Sequence, residues 1–370
     1  MNNSLSQNPR QHIVVVISGH GYGHAAMTAP VINRLQQLYP NIKITLSTSV
    51  PLPFLNSKFN GPFDYLSHSS DFGMIMNSAF ESDLPASLLA YQEFHAQWPT
   101  KIAIEVERLR NIGANMLISN IAYLPLIAAQ RLGIPAIAMS CLNWANIFKH
   151  FFPDEREIHH QIASAYRSAD CFIRTEPAMS MDDFATHTVD PIVTKGNNCR
   201  KQLLTTLQLP AKTKLILVSM GGIKTGINAS NWPRLEHVHY LAANSINGHE
   251  RNDITLIDNL NISYNNLLSS CDLLLTKPGY GNFTEAAFNV IPVLYVRRDE
   301  WPEQPFLAKW LHQQVNCAAI TPNEFRDGTF TQPLQQLLSE ATATTTFKTG
   351  IDESVELIAS YIKQTTISLL

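Results

Sequence analysis

Six residues near the start, Gly19-His20-Gly21-Tyr22-Gly23-His24, combine glycines with two histidines directly after an apolar run. Glycines at such a place allow a ligand to approach the backbone closely. A helix opening there adds free N–H groups and positive potential for an anion. A histidine beside it, titrating near neutrality, suits general-base work on a hydroxyl. His20 and His24 stand at i, i+4, but no third ligand lies nearby and no H-E-x-x-H pattern is present, so a metal pair is not expected. A dinucleotide fingerprint is also excluded. It would need glycine or alanine where His24 stands, and an acidic residue near the end of the next strand, where residues 42–50 carry none. A tight turn without ligand, with the histidines bonded inside the loop, is the plain alternative.

A second constellation is Thr276-Lys-Pro-Gly-Tyr-Gly-Asn-Phe-Thr-Glu285. Lys277, Gly279, Tyr280 and Gly281 lie in a post-strand turn, and a helix expected from Asn282 again offers N–H groups to a phosphate. It is not a P-loop, because no G-K-[ST] follows. Glu285 has two readings. It caps its own helix through Asn282-x-x-Glu285, or it accepts bonds from ribose hydroxyls. A further glycine pair, Gly221-Gly222, follows the apolar run 214–219.

The elements that carry these loops alternate. Residues 12–18 read as a strand buried on both faces. A helix follows with Val31, Leu35 and Leu38 on one face, then an alternating strand over 42–47. Strands are expected at 115–119, 134–140 and 171–174, and helices at 124–131 and 161–168. Between Pro51 and Trp98 loops and helices are expected, shaping the acceptor side. Residues 190–200 are polar and turn-rich and read as a linker. Strands then recur at 214–219, 237–243, 254–257, 272–276 and 292–296, with helices at 282–289, 306–313 and 355–363. Strand–helix alternation in both halves predicts an α/β protein with two doubly wound parallel sheets, ligands lying at the carboxyl ends of the strands. The expected domains are 1–195 and 196–352, with a helix at about 353–370 packing back on the first.

Composition bounds the function. The chain has 370 residues, enough for about two domains. A net charge of −3 argues against a general nucleic-acid binder. Arg297-Arg298 is a basic pair with two readings, a phosphate contact or a solvated pair, of which the second is preferred. The five cysteines are dispersed and form no C-x-x-C, so a reducing, cytoplasmic location is expected without disulfides or zinc. No signal peptide and no apolar run of about 18 residues is seen, which leaves peripheral membrane association open.

Lys277-Pro-Gly-Tyr-Gly-Asn-Phe-Thr-Glu-Ala-Ala, Pro292-Val-Leu-Tyr-Val-Arg-Arg-Asp and Glu303-Gln-Pro-Phe-Leu resemble GT-B glycosyltransferases. The resemblance is closest to the glycosyltransferase-like N-terminal region of L-arabinokinases, and extends to Ser18-Gly-His-Gly-Tyr-Gly-His-Ala, Leu117-Ile-Ser-Asn, Cys141-Leu-Asn-Trp and Phe172-Ile-Arg. It implies a GT-B fold, with two Rossmann-like domains facing a central cleft. The tail leaves no room for the kinase half, so arabinokinase activity is not expected.

The resemblance also assigns roles. His24 matches the general base, and Gly19, His20, Gly21 and Asn120 flank it on the acceptor side. Gly279–Gly281 and the next helix match the diphosphate loop. Glu285 matches the ribose carboxylate, and Glu303-Gln304 the pair that holds donor-sugar hydroxyls. Gly221 and Gly222 match the glycine turn of the second domain. One departure stands out. Many relatives carry aspartate where this chain has Asn120, and an amide stabilises an imidazolium less than a carboxylate does.

The expected function is therefore an inverting, metal-independent transferase using a nucleotide-diphosphate sugar, chiefly a UDP-sugar, and a small-molecule or glycan acceptor. No D-x-D motif and no cofactor is expected. The alternatives are a nucleotide-sugar epimerase or hydrolase, and a non-catalytic nucleotide-sugar-binding module.

Overall fold

The computed structural model describes residues 11–78, 80–221, 227–243, 246–248, 250–340 and 347–367, with backbone alone over 363–367. The chain forms two compact units. One comprises Met1–Ile75, Leu84–Ile192 and Gly350–Leu370, the other Met76–Asp83 and Val193–Thr349.

The first unit holds β1 (His12–Ile17), β2 (Lys43–Thr48), β3 (Asp64–Ser67), β4 (Met116–Asn120), β5 (Ala136–Ser140), β6 (Cys171–Thr175) and β7 (His187–Val189). Their order is β3-β2-β1-β4-β5-β6-β7, every pair parallel. All six residues of β1 are buried, as its β-branched run requires of a strand covered on both faces. β2 is also buried almost throughout, so its sequence alternation does not mark a half-exposed strand. Leu38, expected on the packed face of the helix Gly23–Leu38, is 50% exposed, because the last turn runs past the sheet-facing Val31 and Leu35. β3 was not anticipated. It is an edge strand with a polar, half-exposed sequence.

The second unit holds β8 (Lys214–Ser219), β9 (Val238–Ala242), β10 (Ile254–Leu256), β11 (Leu273–Thr276), β12 (Val293–Val296) and β13 (Cys317–Ile320). Their order is β10-β9-β8-β11-β12-β13, again parallel. Its core includes Trp232, Tyr240, Phe325 and Phe330. Phe283, on the helix Tyr280–Phe288, is fully buried, which stabilises that helix by about 1.5–3 kcal/mol.

Segment 76–83 belongs with this second unit although the chain around it builds the first. It folds on itself through an antiparallel bridge between Met76 and Ser82. Phe80 then packs edge-on against Phe325, centroids 6.2 Å apart. The helix Ile351–Ile367 lies against the helix Gly23–Leu38 in the first unit, where Asp352 pairs with Arg34 at 2.7 Å.

In each sheet the strand order reverses at the middle, between β1 and β4 and between β8 and β11. Ligands of open α/β sheets bind at such switch points, outside the carboxyl ends of the strands. Residues 18–24 and 120–123 lie at the first, residues 220–221 and 277–279 at the second.

Candidate active site

In the first unit, Ile17 of β1 stands beside Asn120 of β4, and the Ser18 amide donates to the Asn120 carbonyl at 2.8 Å. The turn then closes tightly, with the Gly21 amide on the Gly19 carbonyl at 2.8 Å. A side chain at Gly19 would lie 1.9 Å from Ser49 Oγ, so Ser49 would have to turn its hydroxyl away for this loop to pass the end of β2.

His24 is the second residue of its helix and 9% exposed. Its Nδ1 meets Asn120 Oδ1 at 2.9 Å. The surrounding bonds fix the protons. The Thr28 hydroxyl donates to the His24 carbonyl at 2.8 Å, so toward Asn120 it can only accept. Asn120 Nδ2 therefore donates to Thr28 Oγ1 at 3.0 Å, which turns Oδ1 to the imidazole. His24 Nδ1 must then carry its proton, and Nε2 is left with the lone pair. Burial lowers the His24 pKa to about 4, the Asn120 bond opposing. The imidazole is thus neutral at physiological pH.

His20 is half-buried, with its ring edge-on to Trp144, centroids 5.3 Å apart. Behind them lies Asp71, which the sequence reading missed. It is 6% exposed and accepts from Trp144 Nε1 at 2.9 Å. Burial pushes its carboxyl up to about 6, against the pull of the Trp144 bond. Its signal was an isolated acid just before Phe72-Gly73. Gly73 has φ +67, and a Cβ there would lie 2.8 Å from both the His20 ring and Trp144. Gly73→Ala is expected to destabilise the protein by about 1–2 kcal/mol through the left-handed backbone alone, and to displace His20. Urea unfolding together with the histidine NMR signals checks this; an unchanged His20 environment would contradict it.

In the second unit the glycine loop Lys277–Gly279 follows β11. Its helix begins at Tyr280, not Asn282 as expected, with Gly279 as N-cap and no side chain capping it. Pro278-Gly279 turns the chain two residues earlier than the spacing suggested. Asn282 is therefore the third helical residue, and the capping reading of Glu285 fails. Glu285 lies in the second turn, half-exposed.

The Asn282 amide joins the sheet instead. Nδ2 donates to Thr276 Oγ1 at 2.6 Å and to the Ser219 carbonyl at 3.2 Å, while Oδ1 accepts from Tyr264 at 2.9 Å. It ties the ends of β8 and β11 together. Tyr280 is 7% exposed. Gly221 lies where an added Cβ would be 3.5 Å from Lys277 Cε. Gly222 falls outside the described residues.

Glu303 and Gln304 are both buried. Glu303 Oε2 accepts from Trp301 Nε1 at 3.2 Å. Gln304 accepts from the Arg298 amide and donates to Asp299 Oδ1 at 3.2 Å. The pair thus shapes its own loop. Arg298 is not solvated as expected but 6% exposed, because Trp301 covers the guanidinium with its ring centroid 4.0 Å away. Arg297 does remain in solvent and pairs with Asp299 at 3.5 Å.

Among the described residues no group of three or more His, Cys, Asp or Glu could hold a metal ion. No helix there is long and apolar enough to cross a membrane. All five cysteines are free, Cys141, Cys171 and Cys271 being buried.

Two parallel switch-point sheets, each with a glycine loop opening a helix, define the GT-B fold, and the chain has that fold. No known protein-family model matches it. A UDP-glucosyltransferase from Polygonum tinctorium shares the fold with a TM-score of 0.56 at 15% identity, over 98% of this chain and 94% of the other. A UDP-N-acetylglucosamine 2-epimerase shares it with a TM-score of 0.52 at 15% identity, over 95% of each. In sequence the chain is 24% identical to L-arabinokinase of Arabidopsis thaliana over 340 residues, covering 89% of this chain. It spans 32% of that protein's length, about a third.

Proposed function

We propose that the protein is a glycosyltransferase that moves a sugar from a nucleotide-diphosphate sugar, a UDP-sugar, to an acceptor hydroxyl with inversion and without a metal. The observation that carries this reading is the fixed tautomer of His24, whose free Nε2 lone pair stands beyond the carboxyl end of β1. In the proposed step Nε2 takes the acceptor proton as the oxygen attacks the anomeric carbon. The bond from that carbon to the diphosphate oxygen breaks, and the leaving group takes the electron pair. The uncapped N-terminus of the helix Tyr280–Phe288 suits the charge that develops there. Glu285 is assigned to the ribose hydroxyls, and Glu303 with Gln304 to the loop that faces the donor sugar.

A thermal-shift titration against UDP-, GDP-, ADP- and dTDP-sugars, repeated on Glu285→Ala, tests this. A donor at 100 times its Kd stabilises the folded state by about 2.7 kcal/mol. A selective shift that Glu285→Ala weakens is the expected result. No shift with any donor removes the nucleotide-sugar reading.

Two observations favour other readings. The likeness to the 2-epimerase favours isomerisation or hydrolysis of the donor, for which altered sugar appears without added acceptor. The amide at Asn120 favours a module that binds without turnover, for which tight donor binding accompanies no product across an acceptor panel. The free buried cysteines suit a reducing, cytoplasmic setting.

A further inference from the structure

Asp71 is an acid that the fold buries without a cation. It is 6% exposed, and among the described residues no lysine or arginine acts on it. Trp144 Nε1 donates to Oδ2 at 2.9 Å. Oδ1 is buried and closes no hydrogen bond, although the Ser18 hydroxyl favours the ionised carboxyl. Burial raises the phenols of Tyr91, Tyr123 and Tyr166, and the charge of Asp71 adds to that. The carboxyl therefore faces neutral groups on these elements. A buried acid of this kind costs stability rather than adding to it.

What the carboxyl holds is Trp144. The residue is fully buried and tied at both ends. Its backbone N–H donates to the Tyr166 hydroxyl at 3.1 Å, and its indole N–H to Asp71. Phe72 seats the segment against Tyr91 and Phe94, with ring centroids 4.7 and 5.9 Å away. Gly73 then passes so close that a Cβ would meet Trp144 and the Cγ–Nδ1 edge of His20. The His20 amide donates back to Ser18 Oγ at 3.3 Å. Residues 71–73, Trp144 and the turn 18–20, which follow β3, β5 and β1, thus pack as one piece. His20 is the half-buried side chain of that piece.

We propose that Asp71 is a positioning residue of the acceptor side: by fixing the indole of Trp144 it fixes the imidazole of His20, and His20 hydrogen-bonds the acceptor. Trp144 is too deep to meet a ligand itself, so Asp71 acts through the ring beside it. This deepens the proposed function and rests on it for the acceptor.

Two readouts test the positioning. The NMR signals of the His20 ring sense the indole that stands edge-on 5.3 Å away. Asp71→Leu is expected to shift them. Asp71→Asn, whose amide oxygen can still accept from Trp144 Nε1, is expected to leave them near their wild-type positions. With a donor and acceptor that give turnover, Asp71→Leu is expected to raise the acceptor KM about tenfold, while kcat and donor KM change less than about twofold. Asp71→Asn is expected to restore the acceptor KM. Stability moves differently. Burial holds the Asp71 carboxyl up at about 6, from an ordinary 3.8. Its contribution is therefore complete below the ordinary value and is lost as pH rises through about 6. The urea midpoint of Asp71→Asn at about pH 8 is expected to equal or exceed that of wild type.

A merely structural acid would change the midpoint and leave the ratio of acceptor KM to donor KM alone. The proposal is overturned if folded Asp71→Leu keeps wild-type His20 signals and acceptor KM, or if Asp71→Asn fails to restore them. If Asp71→Leu does not fold, Asp71→Ala removes the same hydrogen bond and gives the same readouts. Absence of turnover with every donor and acceptor removes the transferase reading and the acceptor contact of His20 with it; the His20 signals then decide the positioning by Asp71 alone.

Discussion

His24→Ala is expected to lower turnover by about 10²–10⁴-fold, the contribution of a positioned general base. The proposed donor loop lies in the other unit, so the donor-induced thermal shift is expected to persist. Full turnover in His24→Ala would end the role proposed for this imidazole. A companion change sharpens the test. With Asn120 as partner, the His24 pKa lies near 4, so the acid limb of kcat/KM falls only as pH drops through that value. In Asn120→Asp a carboxylate faces Nδ1–H and favours the imidazolium. Thr28 must turn its hydroxyl from the His24 carbonyl to the new carboxylate oxygen. The acid limb is then expected to move up toward neutrality, as kcat/KM measured from pH 4 to 8 would record. A profile that does not move would mean that His24 does not set it.

Arg108→Met is expected to destabilise the first unit by about 3 kcal/mol, because it leaves a buried carboxylate with only Ser70 and the half-exposed His68 as partners. Glu105 is 2% exposed. It accepts from Arg108 Nε at 2.8 Å and from Ser70 Oγ at 3.2 Å, with His68 Nε2 at 3.6 Å. Burial alone would raise the Glu105 pKa, but hydrogen bonds and charge from Arg108 and His68 outweigh it and lower it to about 2. The sign follows from that direction. The stabilisation is complete above the ordinary value of 4.5 and is lost as pH falls toward 2. The double variant Glu105→Met/Arg108→Met removes both charges and is expected to regain most of the loss. Urea midpoints of Arg108→Met, Glu105→Met and the double variant decide it. A single-variant loss below about 1 kcal/mol would place the pair among ordinary surface bridges.

The central strands were legible because β1, β4, β8, β11 and β12 are short continuous apolar runs, which need no partner to be recognised. Edge strand β3, with the sequence Asp-Tyr-Leu-Ser, carries no such run. The turns at Gly19–Gly23 and Lys277–Gly279 were legible because glycines mark where backbone must turn after a strand. The helix start at Tyr280 was not, since Asn282-x-x-Glu285 imitates a capping box, and only the fold shows Asn282 bridging the ends of β8 and β11. Arg298 was misread for a similar reason. Two adjacent arginines look solvated in sequence, and the tertiary contacts that bury one of them come from Trp301 and from Ser82, more than two hundred residues away in the chain. Asp71 gave only the weak signal of a lone acid after a strand whose existence was itself unread.

The chain changes unit after Ile75, Asp83, Ile192 and Thr349. A recombinant hybrid that exchanges the second unit with that of another chain at the turn-rich segment 190–200 alone would therefore import that unit without the hairpin that holds Arg298. Its Arg298 loop would meet a foreign Met76–Asp83 hairpin. The second unit is thus encoded in two separated stretches of sequence, and a graft that carries both, with the final helix kept from the recipient, is the unit that can be transplanted.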